Sequence, residues 1–372
     1  MVAAKRACYI VSAIDAFADK QTLTLADKVM VVDYDEHGFN AAAMLSAVNS
    51  LRVKQYVGFI YGSGFEEQPE LLQQLEQILP LIGNSVSTVQ AVKSVKFFAE
   101  LDSLNIKHPN IYDALPVNAT NNGAENSGYL KKFAGGCGGT HISVAETAHK
   151  LAPDYYFQQH IFGLAVSLLF IANGKEIVVI GFNEQWLNPT KTMPYRYGGA
   201  VGNIALPIEV QQQLIEAAQK ITRQFGLIGL NSLDAIIDKT ASQNDVAHVL
   251  EINPRLSATV DLYEEANLID LHVRTILRHA LKYSELPVVI KVSKQSKAQA
   301  IVYAEFDLQV PAQFDWPDWV VDTPYYADDS DINILAAEPI CTVIAHANNA
   351  DDAKHLAQSR VKILLAKLVA CY

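Results

Sequence analysis

Apolar positions follow two rhythms along the chain. In roughly the first 90 residues, short β-branched runs such as Lys28-Val-Met-Val-Val-Asp33 and Tyr56-Val-Gly-Phe-Ile-Tyr61 alternate with stretches whose apolar residues recur at helical spacing, at Asn40 to Leu51 and Glu70 to Leu79. Pro69 suits the first turn of the second helix. With residues 7 to 13 as a buried first strand, this predicts βαβ units and buried parallel strands. Residues 87 to 104 predict a helix ending at Asn105, followed by a polar loop from Pro116 to Gly128. The remainder reads differently. Residues Ile161 to Phe182 predict two strands joined at Asn173-Gly174, a dipeptide that tolerates the positive φ of a tight hairpin. Helices are expected at 207 to 225, 265 to 282 and 350 to 366, and strands at 231 to 237, 247 to 252, 298 to 306 and 341 to 347.

A chain of 372 residues exceeds the usual size of one hydrophobic core, so several packed units are expected. The pattern divides it into an α/β unit at 1–88, a central α+β region at 89–290 and a C-terminal α+β unit at 291–372. The formal net charge of −11 argues against a nucleic-acid partner, whose backbone is held mainly by Lys and Arg. Cys8, Cys137, Cys341 and Cys371 are too scattered for a zinc site and suit a reducing cytoplasm. Lys5 and Arg6 precede an apolar run, but Asp15 and Asp19 interrupt it, so no signal peptide is expected. The run Leu164 to Ala172 is too short to cross a bilayer, which takes about 20 residues, so no membrane association is expected.

Three segments carry candidate chemistry. Gly62-Ser-Gly-Phe-Glu66 follows an expected strand and suits a tight turn, with an anion-binding role as the alternative. In Tyr129-Leu-Lys-Lys-Phe-Ala-Gly-Gly-Cys-Gly-Gly-Thr-His-Ile142, glycines follow Lys132 closely enough to bring backbone amides to a polyphosphate, with the lysine as a point charge. A plain glycine-rich hairpin fits the same residues. Cys137 reads as a space-filling residue and His141 as a polar neighbour outside the catalytic set. In Val249-Leu-Glu-Ile-Asn-Pro-Arg255, with Asp234 one strand earlier, Glu251 lies between apolar neighbours and needs a cation. Asp234, Glu251 and Asn253 would offer hard oxygen ligands to Mg²⁺, and Arg255 could reach a phosphoryl group or a carboxylate. The alternative is a structural Glu251–Arg255 salt bridge.

Lys93 on a helix, Lys132 before the glycine loop, the segment Tyr156-Phe-Gln-Gln-His-Ile-Phe-Gly163, Asp234 and Glu251-Ile-Asn-Pro-Arg255 together resemble the ATP-grasp superfamily in order and spacing. The resemblance implies an ATP-grasp fold with an N-terminal Rossmann-like domain and two α+β subdomains clasping the nucleotide. It further implies that Lys93 and Lys132 contact phosphates and that the loop holding Gly135, Gly136, Gly138 and Gly139 closes over them. Gln158 and the backbone near His160 and Ile161 would face the adenine. Asp234, Glu251 and Asn253 would hold one or two Mg²⁺, with Mn²⁺ able to substitute, and Arg255 with Lys132 would stabilise the transferred group. Val92 stands where relatives often carry Asp, which keeps Lys96 in contention with Lys93; Phe133, Gln158 and Gln159 are further departures.

The pieces Gly62 to Glu66, Gly83-Asn84, Ala304-Glu-Phe-Asp307, Asp322-Thr-Pro324 and Ala337-Glu-Pro-Ile-Cys-Thr-Val343 look like the subgroup containing the tyramine-glutamate ligase of methanofuran biosynthesis. That likeness implies an ADP-forming carboxylate-amine ligase with small-molecule substrates, glutamate and an aromatic amine or amino acid, and it admits a homodimer. A nucleotide-binding sensor is the alternative. A Rossmann oxidoreductase fails on the absent GxGxxG.

Overall fold

The computed structural model describes residues 1–35, 38–51, 56–115, 128–145, 151–238, 245–280, 285–286, 290–325 and 330–371. Most of the polar stretch 116–128 therefore lies outside the described residues.

The N-terminal unit contains α1 (Val2–Arg6), β1 (Ser12–Asp15), α2 (Lys20–Leu25), β2 (Lys28–Val31), a hairpin of β3 (Tyr34–Asp35) and β4 (Gly38–Phe39), α3 (Ala41–Leu51) and α4 (Pro69–Ile78). β1 and β2 pair in parallel, Ser12 opposite Lys28. The first strand does not cover residues 7 to 13. Cys8 takes a left-handed φ of 62° after α1, which delays the strand and leaves Ile10 exposed. Residues 56 to 61 likewise form no strand; Phe59 makes a lone parallel bridge to Leu81. The apolar run instead feeds a core where Tyr61 and Phe65 pack with Met44, Leu72 and Leu75 of α3 and α4.

The helix expected over 87 to 104 is two helices, α5 (Val86–Val92) and α6 (Lys96–Ser103). Ser85 caps the first by accepting from the Thr88 amide, and Asn105 beyond the second is left-handed. The break separates two lysines. Lys93, at the end of α5, is buried, whereas Lys96 at the start of α6 is exposed.

Next come β5 (Ile111–Tyr112), β6 (Tyr129–Phe133), β7 (Ile142–Val144) and β8 (Tyr155–Gln159), an antiparallel sheet in the order β5-β8-β6-β7. The main sheet begins with β9 (Leu164–Asn173), β10 (Ile177–Leu187) and β11 (Tyr197–Gly202), then α7 (Ile208–Phe225), β12 (Ile228–Asp238), β13 (Val246–Asn253) and α8 (Leu268–Ala280). The expected hairpin joins β9 to β10, with Gly174 at φ 87°. The chain closes with β14 (Ser296–Tyr303), β15 (Leu308–Val310), β16 (Val320–Val321), β17 (Ile332–Ile334), β18 (Pro339–Ala347) and α9 (Ala350–Ala370). Eight strands form one antiparallel sheet in the order β13-β12-β9-β10-β11-β14-β18-β16. Alternate residues of its strands feed two cores. Leu168, Phe170 and Leu233 pack with Leu214 and Ile221 of α7, whereas Leu169, Ile171 and Leu230 pack with Val273 and Ile276 of α8. No helix among the described residues is long and apolar enough to cross a membrane.

His272 of α8 ties the N-terminal unit to this sheet. Its Nδ1 accepts from the Leu230 amide at 2.9 Å, so the proton sits on Nε2 and is donated to the Ile82 carbonyl at 3.0 Å. Burial pushes its pKa down to about 4, and protonation would also turn Nδ1 against an N–H. The unfolded chain binds this proton below about pH 6.5 while the folded chain refuses it until about pH 4, so stability falls on acidification across that window. The expected contribution is at most about 3 kcal/mol. Urea denaturation of the wild type and His272→Asn at several pH values checks it; equal slopes for both proteins between pH 6.5 and 4 would contradict it.

Candidate functional site

Polar residues at alternate positions on neighbouring strands build the site. β12 and β13 pair so that Asp234 faces Glu251 and Ser232 faces Asn253. A bulge follows Asp234. These four side chains therefore share one face of the sheet, joined by Gln185 of β10, whose amide donates to Asp234 Oδ1 at 3.3 Å. Ser232 also donates to Asp234, at 3.3 Å.

Lys93 enters this group from the end of α5. Its Nζ donates to Glu251 Oε2 at 2.8 Å and to Asn253 Oδ1 at 3.0 Å. The cation that Glu251 required is thus Lys93, and the Glu251–Arg255 bridge is not formed. Asn253 donates its amide nitrogen to Asp234 at 3.0 Å and to Glu251 at 3.5 Å. Among the described residues no three acidic, His or Cys side chains converge on one point. A metal shared by Asp234, Glu251 and Asn253 requires the amide to turn and present its oxygen, a half-turn about its last side-chain bond. The two carboxylates fit a hard divalent cation.

Their electrostatics diverge. Burial and the neighbouring Glu251 charge raise the Asp234 pKa. Burial acts in the same direction on Glu251, but Lys93, Lys132 and His141 together pull its pKa below the ordinary range. Glu251 is therefore the ionised member, and its side chain keeps 29% exposure, so it is less covered than its apolar neighbours imply.

Lys132 of β6 is buried, and its Nζ donates to Gln158 Oε1 of β8 at 3.3 Å. Burial lowers the Lys132 pKa, opposed by the Glu251 charge. Gln158 Nε2 is buried with no partner among the described residues. An unpaired buried donor is costly, and an acceptor brought by a ligand would satisfy it. The His160 amide is already donated to the Gly128 carbonyl at 2.8 Å, so this residue can offer its carbonyl; Ile161 follows it, half-buried.

The loop from Gly135 to Gly139 is seated between two walls. A Cβ on Gly135 would lie 3.0 Å from the Glu66 carbonyl oxygen, and one on Gly139 1.9 Å from that of Tyr195. Both glycines have positive φ, and the Tyr197 amide donates to the Gly138 carbonyl at 3.0 Å. Gly136 leans on the His141 ring, and His141, pushed down to about 4 chiefly by burial, lies in the field of Glu251, Lys132 and Lys93. His141 thus lies beside the candidate residues, as the polar neighbour expected outside the catalytic set.

Arg255 donates from Nε to Glu66 at 2.5 Å, from one terminal nitrogen to the Leu256 carbonyl at 3.0 Å and from the other to Asn253 Oδ1 at 3.3 Å. In the Gly62 to Glu66 turn, the Gly64 amide is already donated to the Glu66 carboxylate at 2.9 Å. Gln185 and Ser232 were missed in the sequence, and Glu66 was read only as part of a turn. Ser232 and Asp234 flank apolar Leu233 in β12, an alternation that could have found Ser232, whereas the polar run Asn183-Glu184-Gln185 in β10 gives no such signal for Gln185. A separate cavity of about 440 Å³, between α1, β14 and β18, touches none of the candidate residues.

Residues 93–259 match the ATP-grasp domain family. Among solved structures, the Campylobacter jejuni biotin carboxylase in complex with a β-γ-ATP ligand is similar at 15% identity and a TM-score of 0.69, covering 95% of this chain and 85% of that one. The biotin carboxylase domain dimer of Hydrogenobacter thermophilus 2-oxoglutarate carboxylase, with MgADP and bicarbonate, is similar at 12% identity and a TM-score of 0.70, covering 96% and 85%. Rhizobium etli pyruvate carboxylase is similar at 15% identity and a TM-score of 0.67, covering 95% of this chain and 34% of that one. No curated protein sequence matches the chain.

Proposed function

From the ATP-grasp fold of this chain, we propose that it is an ADP-forming carboxylate-amine ligase that activates its carboxylate as an acyl phosphate. The observation that carries this proposal is the Lys93–Glu251–Asn253–Asp234 group, set in one field with Lys132 and the unpaired amide of Gln158. Lys93 and Arg255 match Glu251 and Glu66 in charge, with Lys132 in the same field and Asp234 raised toward its neutral form. When Mg-ATP binds, Lys93 would leave Glu251 for a phosphate, and the freed Glu251 carboxylate with Asp234 would be available to hold the cation.

Mg²⁺, with Mn²⁺ able to substitute, would be held by Asp234, Glu251 and Asn253 and would neutralise phosphate charge there. Gln158 and Lys132 hold the nucleotide end, and the His160 carbonyl and Ile161 backbone border the adenine. The amides of Gly135, Gly136, Gly138 and Gly139 surround the phosphates. The substrate carboxylate attacks the γ-phosphorus in line and ADP leaves; Lys93, Lys132 and Arg255 stabilise the negative charge gathered on the phosphoryl oxygens. The amine then attacks the acyl carbon, the acyl C–O bond breaks, phosphate leaves with the former carboxylate oxygen, and the amine nitrogen loses a proton. Cys137 is free, but its thiol is pushed up to about 11, first by burial, and no protein nucleophile is required.

For the substrates we favour glutamate and an aromatic amine or amino acid, in the making of a methanofuran-like C1 carrier. The likeness of the Gly62 to Glu66, Gly83-Asn84 and C-terminal segments to that ligase subgroup supports this choice. Several of the C-terminal residues also have turn roles: Asp307 accepts from the Ala336 amide, Glu338 from the Leu335 amide. A homodimer is in keeping with the dimeric Hydrogenobacter neighbour. A phosphate-release screen of carboxylate and amine pairs with Mg-ATP, followed by product mass, tests the proposal. The expected product is one glutamyl unit on an aromatic amine. Turnover only with another acid class would overturn the substrate choice, and no carboxylate-dependent phosphate at all would favour a nucleotide sensor.

A further inference from the structure

We propose that Glu66 is a positioning residue: it holds the Arg255 guanidinium at the angle at which its anion meets it, so the N-terminal unit sets the geometry of the phosphoryl end of the site. This rests on the role given to Arg255 above. The Glu66 side chain is 1% exposed and Arg255's is 8%, so the pair is sealed from water. One carboxylate oxygen takes Arg255 Nε; the other takes the Gly64 amide at 2.9 Å, which fixes the carboxylate from behind. A guanidinium held at Nε cannot swing, and its terminal nitrogens stay directed at Asn253 and Leu256.

The backbone of the same turn also supports the glycine loop, since the Glu66 carbonyl lies where a Cβ of Gly135 would be crowded. Two more residues of the N-terminal unit clamp the residue before Arg255. Asn84 donates to the Pro254 carbonyl at 2.8 Å and Tyr61 to the same oxygen at 3.2 Å. Asn84 is itself locked by accepting from the Ile228 amide and donating to Asn231. Three side chains separated from Arg255 by 170 residues or more thus hold one turn of the site.

The test titrates inorganic phosphate into the MgADP complex of the wild type, Glu66→Gln, Glu66→Asp, Arg255→Met and the Glu66→Gln/Arg255→Met double variant. Phosphate affinity is expected to fall at least about tenfold in both Glu66 variants, while MgADP affinity, which reports folding of the nucleotide end, stays within about twofold. In the Arg255→Met background Glu66→Gln should change nothing more, because the group it positions is gone. Glu66→Asp keeps the charge and shortens the reach, so a merely charge-balancing Glu66 would leave it at wild-type affinity. The double variant removes both charges and guards against misfolding of Glu66→Gln alone. Unchanged phosphate binding in both Glu66 variants, or equal losses with and without Arg255, overturns the positioning role. Wild-type phosphate binding in Arg255→Met instead overturns the role given to Arg255.

Discussion

Glu251→Gln is expected to cut carboxylate-dependent ADP release by about a hundred- to a thousandfold, the scale seen when one aligned charge-stabilising group is removed. The substitution keeps the shape and can still accept from Lys93, so the loss isolates the negative charge. Glu251 is the residue suited to this test because Lys93, Lys132 and His141 hold it ionised against the cost of burial, while Asp234 is raised. Nucleotide affinity should change far less, since Lys132 and Gln158 remain. Steady-state kinetics with a direct nucleotide titration separates the two effects. Full turnover in Glu251→Gln would reduce Glu251 to a structural counter-ion of Lys93.

Lys93→Met is expected to lower stability by about 3–5 kcal/mol, because it leaves Glu251 and Asp234 adjacent without their nearest cation. The lysine side chain is 4% exposed and Glu251 29%, so partial hydration of the carboxylate places the loss toward the lower end. Millimolar Mg²⁺ should restore part of the loss in the variant and do less for the wild type, since the metal then fills the place of the ammonium. Urea denaturation with and without Mg²⁺ measures both. A small loss that ignores Mg²⁺ would show that these carboxylates are not a metal site.

Local signals in the sequence were dependable where local physics decides. Asn173-Gly174 located the central hairpin, and the order of Lys93, Lys132, Asp234 and Glu251 to Arg255 named the side chains that the structure brings together. The failures have physical causes. Residues 7 to 13 and 56 to 61 are apolar enough for strands, but a left-handed Cys8 delays the first, and the second is consumed by packing against α3 and α4. The choice between Lys93 and Lys96 hung on a helix break that three-residue spacing cannot show. The partner of Glu66 was invisible for a different reason. It is 189 residues away, and nothing within a turn reveals which distant guanidinium the carboxylate will meet.

The transfer of the substrate's own oxygen to phosphate tests the acyl-phosphate chemistry most directly. With Mg-ATP, amine and a carboxylate labelled with ¹⁸O, the released phosphate is analysed by mass. Carboxylate attack on the γ-phosphorus requires one ¹⁸O in each phosphate formed during productive turnover. Phosphate carrying oxygen from water alone, with the label retained in the acid, would contradict the assignment of this site as an acyl-phosphate-forming ligase.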